Sequence, residues 1–364
     1  MASDIGSDPV PPRIERQLQD AGCALAMRAG GLGTMLHPIA RRAVADAVRL
    51  ADSYYASVIG GFRLSPADIE LGVRGELSDD GGIRYRQIEA AAYVGAQSLI
   101  DGGELDDFGL GADFVRMLHE RLQARPPDEV RRGGARAPTG GEWRRSDDGK
   151  NPPSALIPGV MRDFDMISDP DRVGLSRAGI AAALAHHGLL WISPFEEGNA
   201  RIAHLHSRAY LRRKGFATDL WSLARGFAVD VSRYRWMLSE ADHGRIGEFA
   251  EYFIETCLGQ VNFMSTVLEP TALLRRLSAY VELGAADGRL NRRVFKLLRH
   301  AVLVGSLPKN EISEILGVTD RHARRLIEPA IADGVLRSGT RAEPYRIAFP
   351  LALMDHFLPR LLDT

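Results

Sequence analysis

Glu196, Glu197, Gly198, Asn199 and Arg201 lie within the stretch WISPFEEGNARIAHL (residues 191 to 205). Two carboxylates, a Gly, an Asn and an Arg so close together suit the capture of a phosphate with a metal. A helix reading NARIAHLHSRAYLRRKG starts near Asn199, a good N-cap residue, and stops at Gly215. The turn before it therefore presents backbone N–H groups at the positive end of a helix, and Gly198 lets a phosphate come close. A bare phosphate would repel Glu197, but a magnesium ion between the two makes the pair compatible. Arg201, in the first helical turn, neutralises phosphate charge. The same residues also suit an ordinary helical corner with solvated charges.

Residues 178 to 192, AGIAAALAHHGLLWI, are apolar on nearly every face, the pattern of a central helix in an all-α core. Pro194 stops that helix, since it lacks an N–H and disfavours helical geometry in the residue before it. Residues 1 to 34 read as a disordered N-terminal segment, polar and Pro-rich at its start. Helical spacing marks 35–123, and a Gly- and Pro-rich stretch from 124 to about 160 reads as a long surface loop holding one short hairpin. Helical spacing resumes near 172 and runs to about 283, so 124–285 forms the core region. A composition shift after ELGAADGRLN sets off 286–364 as a further domain.

With 45% hydrophobic and 26% charged residues in 364, the chain can bury a large core over two or three domains. Its 46 basic and 47 acidic residues nearly cancel, so any affinity for nucleic acid or membrane must be local. Cys23 and Cys257 are far apart and read as buried thiols in a reducing compartment. The first residues, MASDIGSDPVPP, lack the basic start and apolar run of a secretory signal. No segment has the roughly 18–20 apolar residues of a membrane span. Cytoplasm is the expected compartment, with no membrane partner.

The stretch at 193–204 resembles the Fic (Fido) family signature, His-Pro-Phe-x-Asp/Glu-Gly-Asn-Gly-Arg-x-x-Arg, through Pro194, Phe195, Glu197, Gly198, Asn199 and Arg201. The likeness extends over roughly residues 50 to 350. It takes in IPGVMRDFDMI (157–167), similar to the flap that presents a target segment, and LWSLARGFAVDVSRYRWMLSEAD. It implies an all-α fold: a helical Fic core with a short β-hairpin flap, an N-terminal inhibitory-type helix and a C-terminal winged helix-turn-helix domain. It also implies ATP or another nucleotide with Mg2+, held by Phe195, Gly198, Asn199, Ala200 and Arg201 with Glu197 on the metal. A protein target would lie at the 157–167 flap, and a homodimer is a further expectation.

The departures from that pattern bear on function. Ser193 stands where active members carry the His that takes the target hydroxyl's proton. Since a hydroxyl is a far weaker base than imidazole, ordinary AMP transfer would lose roughly 10²- to 10⁴-fold. His204 replaces the second Arg, with shorter reach and no bidentate fork, and Ala200 replaces a Gly of the anion cradle. In YYASVIGGFRLSP, similar to the inhibitory motif, Ser57 is kept and Gly60 takes the place of the Glu that pairs with the second Arg. With neither partner present, the usual inhibited pairing cannot form. His204 lies one turn beyond Asn199, on the face expected to look towards the phosphates, and is a candidate substitute base. His186 and His187 read as core or second-layer residues, and His206 points to a different face from His204.

PKNEISEILGVTDRHARRLIEPAIADGVL (308–336) reads as a helix, a turn at Gly317, a second helix and an extended end. Between 289 and 346 there are 12 Lys plus Arg against six Asp plus Glu, with Arg321, His322, Arg324 and Arg325 at the start of the second helix. This suits either DNA contact or a structural winged helix. The leading expectation is a Fic-fold protein without ordinary AMP-transferase activity that still binds a nucleotide or has been repurposed. The alternatives are an active nucleotidyl or phosphate-group transferase using another base such as His204, and a DNA-binding regulator whose core senses a ligand.

Overall fold

The computed structural model describes residues 12–124, 141–145, 147, 151–340 and 342–363. Most of the hairpin expected in the long loop lies outside these residues. The helices are α1 Pro12–Gly33, α2 Pro38–Ile59, α3 Pro66–Arg74, α4 Gly81–Gly102, α5 Ala112–Gln123, α6 Ile157–Ile167, α7 Ala178–Ile192 and α8 Asn199–Arg213. They continue with α9 Leu223–Ala228, α10 Val231–Asp242, α11 Ile246–Val267, α12 Pro270–Ala286, α13 Val294–Leu303, α14 Ile312–Leu316, α15 Asp320–Ala332 and α16 Met354–Phe357. The strands among the described residues, β1 Leu336–Arg337 and β2 Arg346–Ile347, pair antiparallel with Leu336 opposite Ile347. The fold is all-α apart from this ribbon. No helix among the described residues is long and apolar enough to cross a membrane.

The chain divides into two compact units, Met1–Gly30 with Asp52–Val261 and Gly31–Ala51 with Asn262–Thr364. The division falls inside α1, α2 and α11, earlier than the boundary expected near 285. The composition change that suggested 285 marks the end of α12 at Ala286 rather than the edge of a compact unit. In the second unit, α13 buries Val294, Leu297, Leu298 and Ala301, and α15 buries Ala323, Ile327 and Ala330.

In the first unit, α7 and α8 pack on each other at the centre. The unbroken apolar character of α7 reflects burial around its circumference, from Ala178 and Ile180 to His186, Leu189 and Ile192. Side-chain caps start several surrounding helices: Ser65 accepts from the Asp68 N–H, Asp80 from Ile83 and Asp230 from Arg233.

Three expectations are corrected. The segment expected to be disordered contains α1, because Leu18, Leu25, Ala29 and Leu32 repeat at helical spacing and are buried. IPGVMRDFDMI is the helix α6 rather than a flap, burying Ile157, Val160, Met161 and Phe164 at i, i+3, i+4 and i+7. Cys257 is buried, but Cys23 is exposed on α1 and fills no core.

Candidate functional site

The turn between α7 and α8 is built by its own side chains. Ser193 ends α7 in the left-handed conformation (φ 45°, ψ 63°), which for a residue with a Cβ costs about 1–2 kcal/mol. Asn199 offsets that strain. Its Oδ1 accepts from the Phe195 N–H at 3.0 Å, while its Nδ2 donates to the Phe195 carbonyl at 2.7 Å and to Ser193 Oγ at 3.0 Å. Asn199 is therefore not the N-cap expected from the sequence. That position is Gly198, at φ 84°, where no side chain caps the helix. A Cβ at this φ would be strained, and the first N–H groups of α8 have no side-chain cap, leaving them able to receive an anion.

Neighbouring elements brace the turn. Arg144, 5% exposed, donates its backbone N–H to the Pro194 carbonyl at 2.8 Å and its Nε to the Ser193 carbonyl at 2.9 Å. Phe195 is buried and stacks on His119 with ring centroids 3.8 Å apart and an 8° interplanar angle, with Trp143 at 5.2 Å. Phe195 thus anchors the turn. His119 Nδ1 accepts the Gly141 N–H at 2.9 Å, and burial lowers its pKa to about 4, so the ring is neutral at pH 7. Gln123 Nε2 reaches Glu197 Oε1 at 3.4 Å, and Glu196 accepts from the Arg145 N–H at 3.1 Å. Glu197 and Ala200 are exposed.

Comparison with solved structures follows this architecture. A Fic family protein from Desulfovibrio desulfuricans aligns over 94% of this chain and 97% of its own, with TM-score 0.53 and 16% identity. Fic-1 from C. elegans (residues 134–508) aligns over 71% of this chain and 74% of its own, with TM-score 0.56 and 18% identity. The chain has the Fic fold. No protein-family profile matches it, and no curated protein does.

In this Fic fold, Arg201 is already paired. Its Nη2 donates to Glu89 Oε1 at 2.7 Å, while Arg86 Nη1 donates to Glu89 Oε2 at 3.0 Å. Glu89 is only 4% exposed, so α4 supplies a buried carboxylate held between two guanidiniums. Ser57 and Phe62, at and just beyond the end of α2, line the same cleft as Arg86, Glu89 and Arg201. Ser57 Oγ donates to the Tyr54 carbonyl at 2.6 Å. The cleft thus brings the end of α2 to the first Arg of the motif.

His204 does not sit where a substitute base is needed. It is 4% exposed, stacks on His186 at 5.3 Å and lines a small pocket with Asp52, Arg208, Thr218 and Trp221. Neither ring nitrogen has a hydrogen-bond partner among the described residues, and burial lowers its pKa to about 4. The face of α8 that carries position 204 is packed against the core, which is why a proton acceptor there cannot serve a solvent-borne substrate. His186 and His206 are likewise engaged inside. His186 Nε2 accepts from Tyr234 Oη at 2.7 Å, and its Nδ1 side meets Ser207 Oγ at 2.9 Å, while His206 Nε2 donates to the Leu110 carbonyl at 2.9 Å. His187 meets Asp242 at 2.8 Å.

Arg86, Glu89, His119, Gln123 and Arg144 went unnoticed in the sequence. The available signal was polar residues at buried helix positions: Glu89 and Gln97 with Tyr93 and Ile100 on α4, and His119 with Val115, Leu118 and Leu122 on α5. Arg144, in the loop, had none. Arg321, Arg324 and Arg325 are exposed on α15.

Among the described residues no group of three or more His, Cys, Asp or Glu side chains is arranged to hold a metal ion. Magnesium keeps several waters and binds through one or two carboxylates plus substrate phosphates, so the exposed carboxylate of Glu197 beside an uncapped helix end fits it only together with a phosphate. Were a nucleotide to bind at this turn with magnesium, Glu197→Ala would abolish the magnesium dependence while leaving the melting temperature nearly unchanged, because a solvent-facing turn residue carries little packing energy. Calorimetry with and without magnesium checks this, and undiminished metal dependence would place the ligand elsewhere.

Proposed function

We propose that this protein binds a nucleotide or related phosphorylated ligand with magnesium at the 197–201 turn and lacks ordinary AMP-transferase activity. The observation that carries this reading is Ser193. Its Oγ accepts from Asn199, and the neighbouring imidazoles are withdrawn: His119 is locked under Phe195 and His204 lies in the core. Among the described residues no exposed imidazole stands at the turn to take a hydroxyl proton. Phosphate binding needs none, and although Ala200 and His204 replace two residues of the family pattern, the groups that favour it remain: Gly198 at positive φ, the uncapped start of α8, Arg201, and Glu197 to share a metal with the ligand. When bound, magnesium supplies charge neutralisation at the phosphoryl oxygens. Asn199 and Arg144 keep the turn in the shape that receives the anion.

The test compares the unaltered protein with Ser193→His, each incubated with ATP and magnesium and with cell extract, and reads adenylyl adducts by mass spectrometry. The unaltered protein is expected to bind nucleotide and give no adduct. Ser193→His is expected to gain transfer, by less than the roughly 10²- to 10⁴-fold a well-placed general base supplies, because position 204 still lacks its Arg. Robust AMP transfer by the unaltered protein would overturn the reading.

A further inference from the structure

We propose that Arg86 is a second phosphate-gripping residue of this turn, supplying the guanidinium that position 204 lacks, with Glu89 as the resident anion that ligand phosphate displaces from the two arginines. The inference rests on the phosphate-binding reading above and adds the residue that extends the site from one phosphoryl group to two.

Arg201 and Arg86 each hold a different oxygen of the Glu89 carboxylate, at 2.7 and 3.0 Å, so the two guanidiniums bracket a single small anion. Both line the same cleft as Ser57, Phe62 and Tyr93. Two cations face one carboxylate there, leaving a surplus positive charge where Glu89 is nearly inaccessible and Arg201 is 18% exposed. Such a partly desolvated surplus attracts anions. Guanidinium is the group suited to this, since its planar fork presents paired donors to phosphate oxygens.

Arg86 is held in place from outside the motif. Its Cζ lies 3.9 Å from the centre of the Phe62 ring, a cation–π contact. Gly60 packs beside Phe62: a Cβ at position 60 would lie 3.0 Å from the Phe62 ring, which would have to shift slightly to accommodate it. The Gly at position 60 thus does two things. It brings no carboxylate into the cleft, and it leaves room for the ring that positions Arg86. Arg86 itself remains 40% exposed, accessible to a ligand entering along the turn, whereas His204 faces the core and offers nothing there.

The experiment measures binding of magnesium–ADP, inorganic pyrophosphate and AMP by calorimetry to the full chain and to Arg86→Ala, Arg86→Lys, Arg201→Ala and Glu89→Gln. Melting curves check that each variant is folded. Arg86→Ala is expected to weaken ADP and pyrophosphate by roughly 10- to 100-fold, the loss of a charge-assisted hydrogen bond, and AMP by less. Arg86→Lys should recover part of the affinity. Glu89→Gln removes the competing anion, so it should tighten pyrophosphate binding, and pyrophosphate should raise its melting temperature more than that of the unaltered chain. ADP affinity within about twofold of normal in Arg86→Ala, with Arg201→Ala abolishing binding, would overturn the role of Arg86 and leave the turn as the phosphate site. Pyrophosphate binding unchanged by Glu89→Gln would overturn the displacement. Failure of the unaltered chain to bind all three probes would overturn the phosphate-binding reading and this inference together.

Discussion

Asp52→Ala is expected to lower the unfolding free energy by about 3–5 kcal/mol, the cost of leaving several buried donors unsatisfied. Asp52 is 4% exposed, and its carboxylate is satisfied from several elements at once. Oδ2 accepts from Tyr93 Oη at 3.0 Å and Gln97 Nε2 at 3.2 Å, both on α4. Oδ1 accepts from Ser222 Oγ and from the Ala224 N–H at 3.3 Å, at the start of α9. Tyr93 is a dependable donor, because burial and the nearby carboxylate hold its pKa well above the usual tyrosine value. Truncation to Ala would strand these donors away from water, each at about 1–3 kcal/mol before relaxation. Asp52→Asn keeps the shape but turns an NH2 group towards donors, so about half the loss is expected there. Urea unfolding monitored by circular dichroism measures both. A cost under about 1 kcal/mol for Asp52→Ala would mean that water readily replaces the carboxylate.

The same carboxylate shows what a single sequence reveals and what it hides. The turn at 193–201 was legible because the signals that place it are local: the apolar run of α7, the stop at Pro194, the restart of α8 and its end before Gly215; Arg144, which braces it from outside, gave no sign. Asp52 gave no such sign, since its partners lie 41 to 172 residues away. Glu89 and Arg201 are 112 residues apart, and no periodicity encodes that distance. Where the reading of the sequence failed, composition or resemblance outweighed pattern. Around α1, the polar, Pro-rich start suggested disorder, yet α1 packs closely: a Cβ at Gly22 would come within 2.5 Å of the Ser176 carbonyl oxygen. In α6, the family resemblance suggested a flap, yet the apolar spacing is helical and Pro158 sits in the first turn, where a helix tolerates Pro. His204 shows the limit of analogy. Its place in the motif suggested a face towards phosphate, whereas its packing partners, His186 and Phe227, turn it inward.

That inward packing is expected to make the protein acid-labile: moving from pH 7 to pH 5, His204 and His206 alone should cost about 4 kcal/mol of stability, and His119 adds in the same direction. Burial lowers the pKa of His204 and of His206 to about 4, whereas an unfolded chain titrates each near 6.5. Between those values the unfolded state binds more protons than the folded one, so stability rises with pH there and falls on acidification. The contribution is present in full above about 6.5 and is lost progressively towards 4. At pH 5 each imidazole has forfeited roughly 2 kcal/mol, and His186, whose pKa burial also holds well below the ordinary value, acts in the same direction. Urea unfolding at half-unit pH steps measures the slope. His204→Leu isolates one site: it sacrifices no hydrogen bond, since neither ring nitrogen has a partner among the described residues. It should therefore leave stability at pH 7 equal or higher and reduce the slope between pH 6 and 5 by about 1.2 kcal/mol per unit. An unchanged slope in His204→Leu would show that this imidazole is protonated inside the folded protein, and the dry core drawn around it would be wrong.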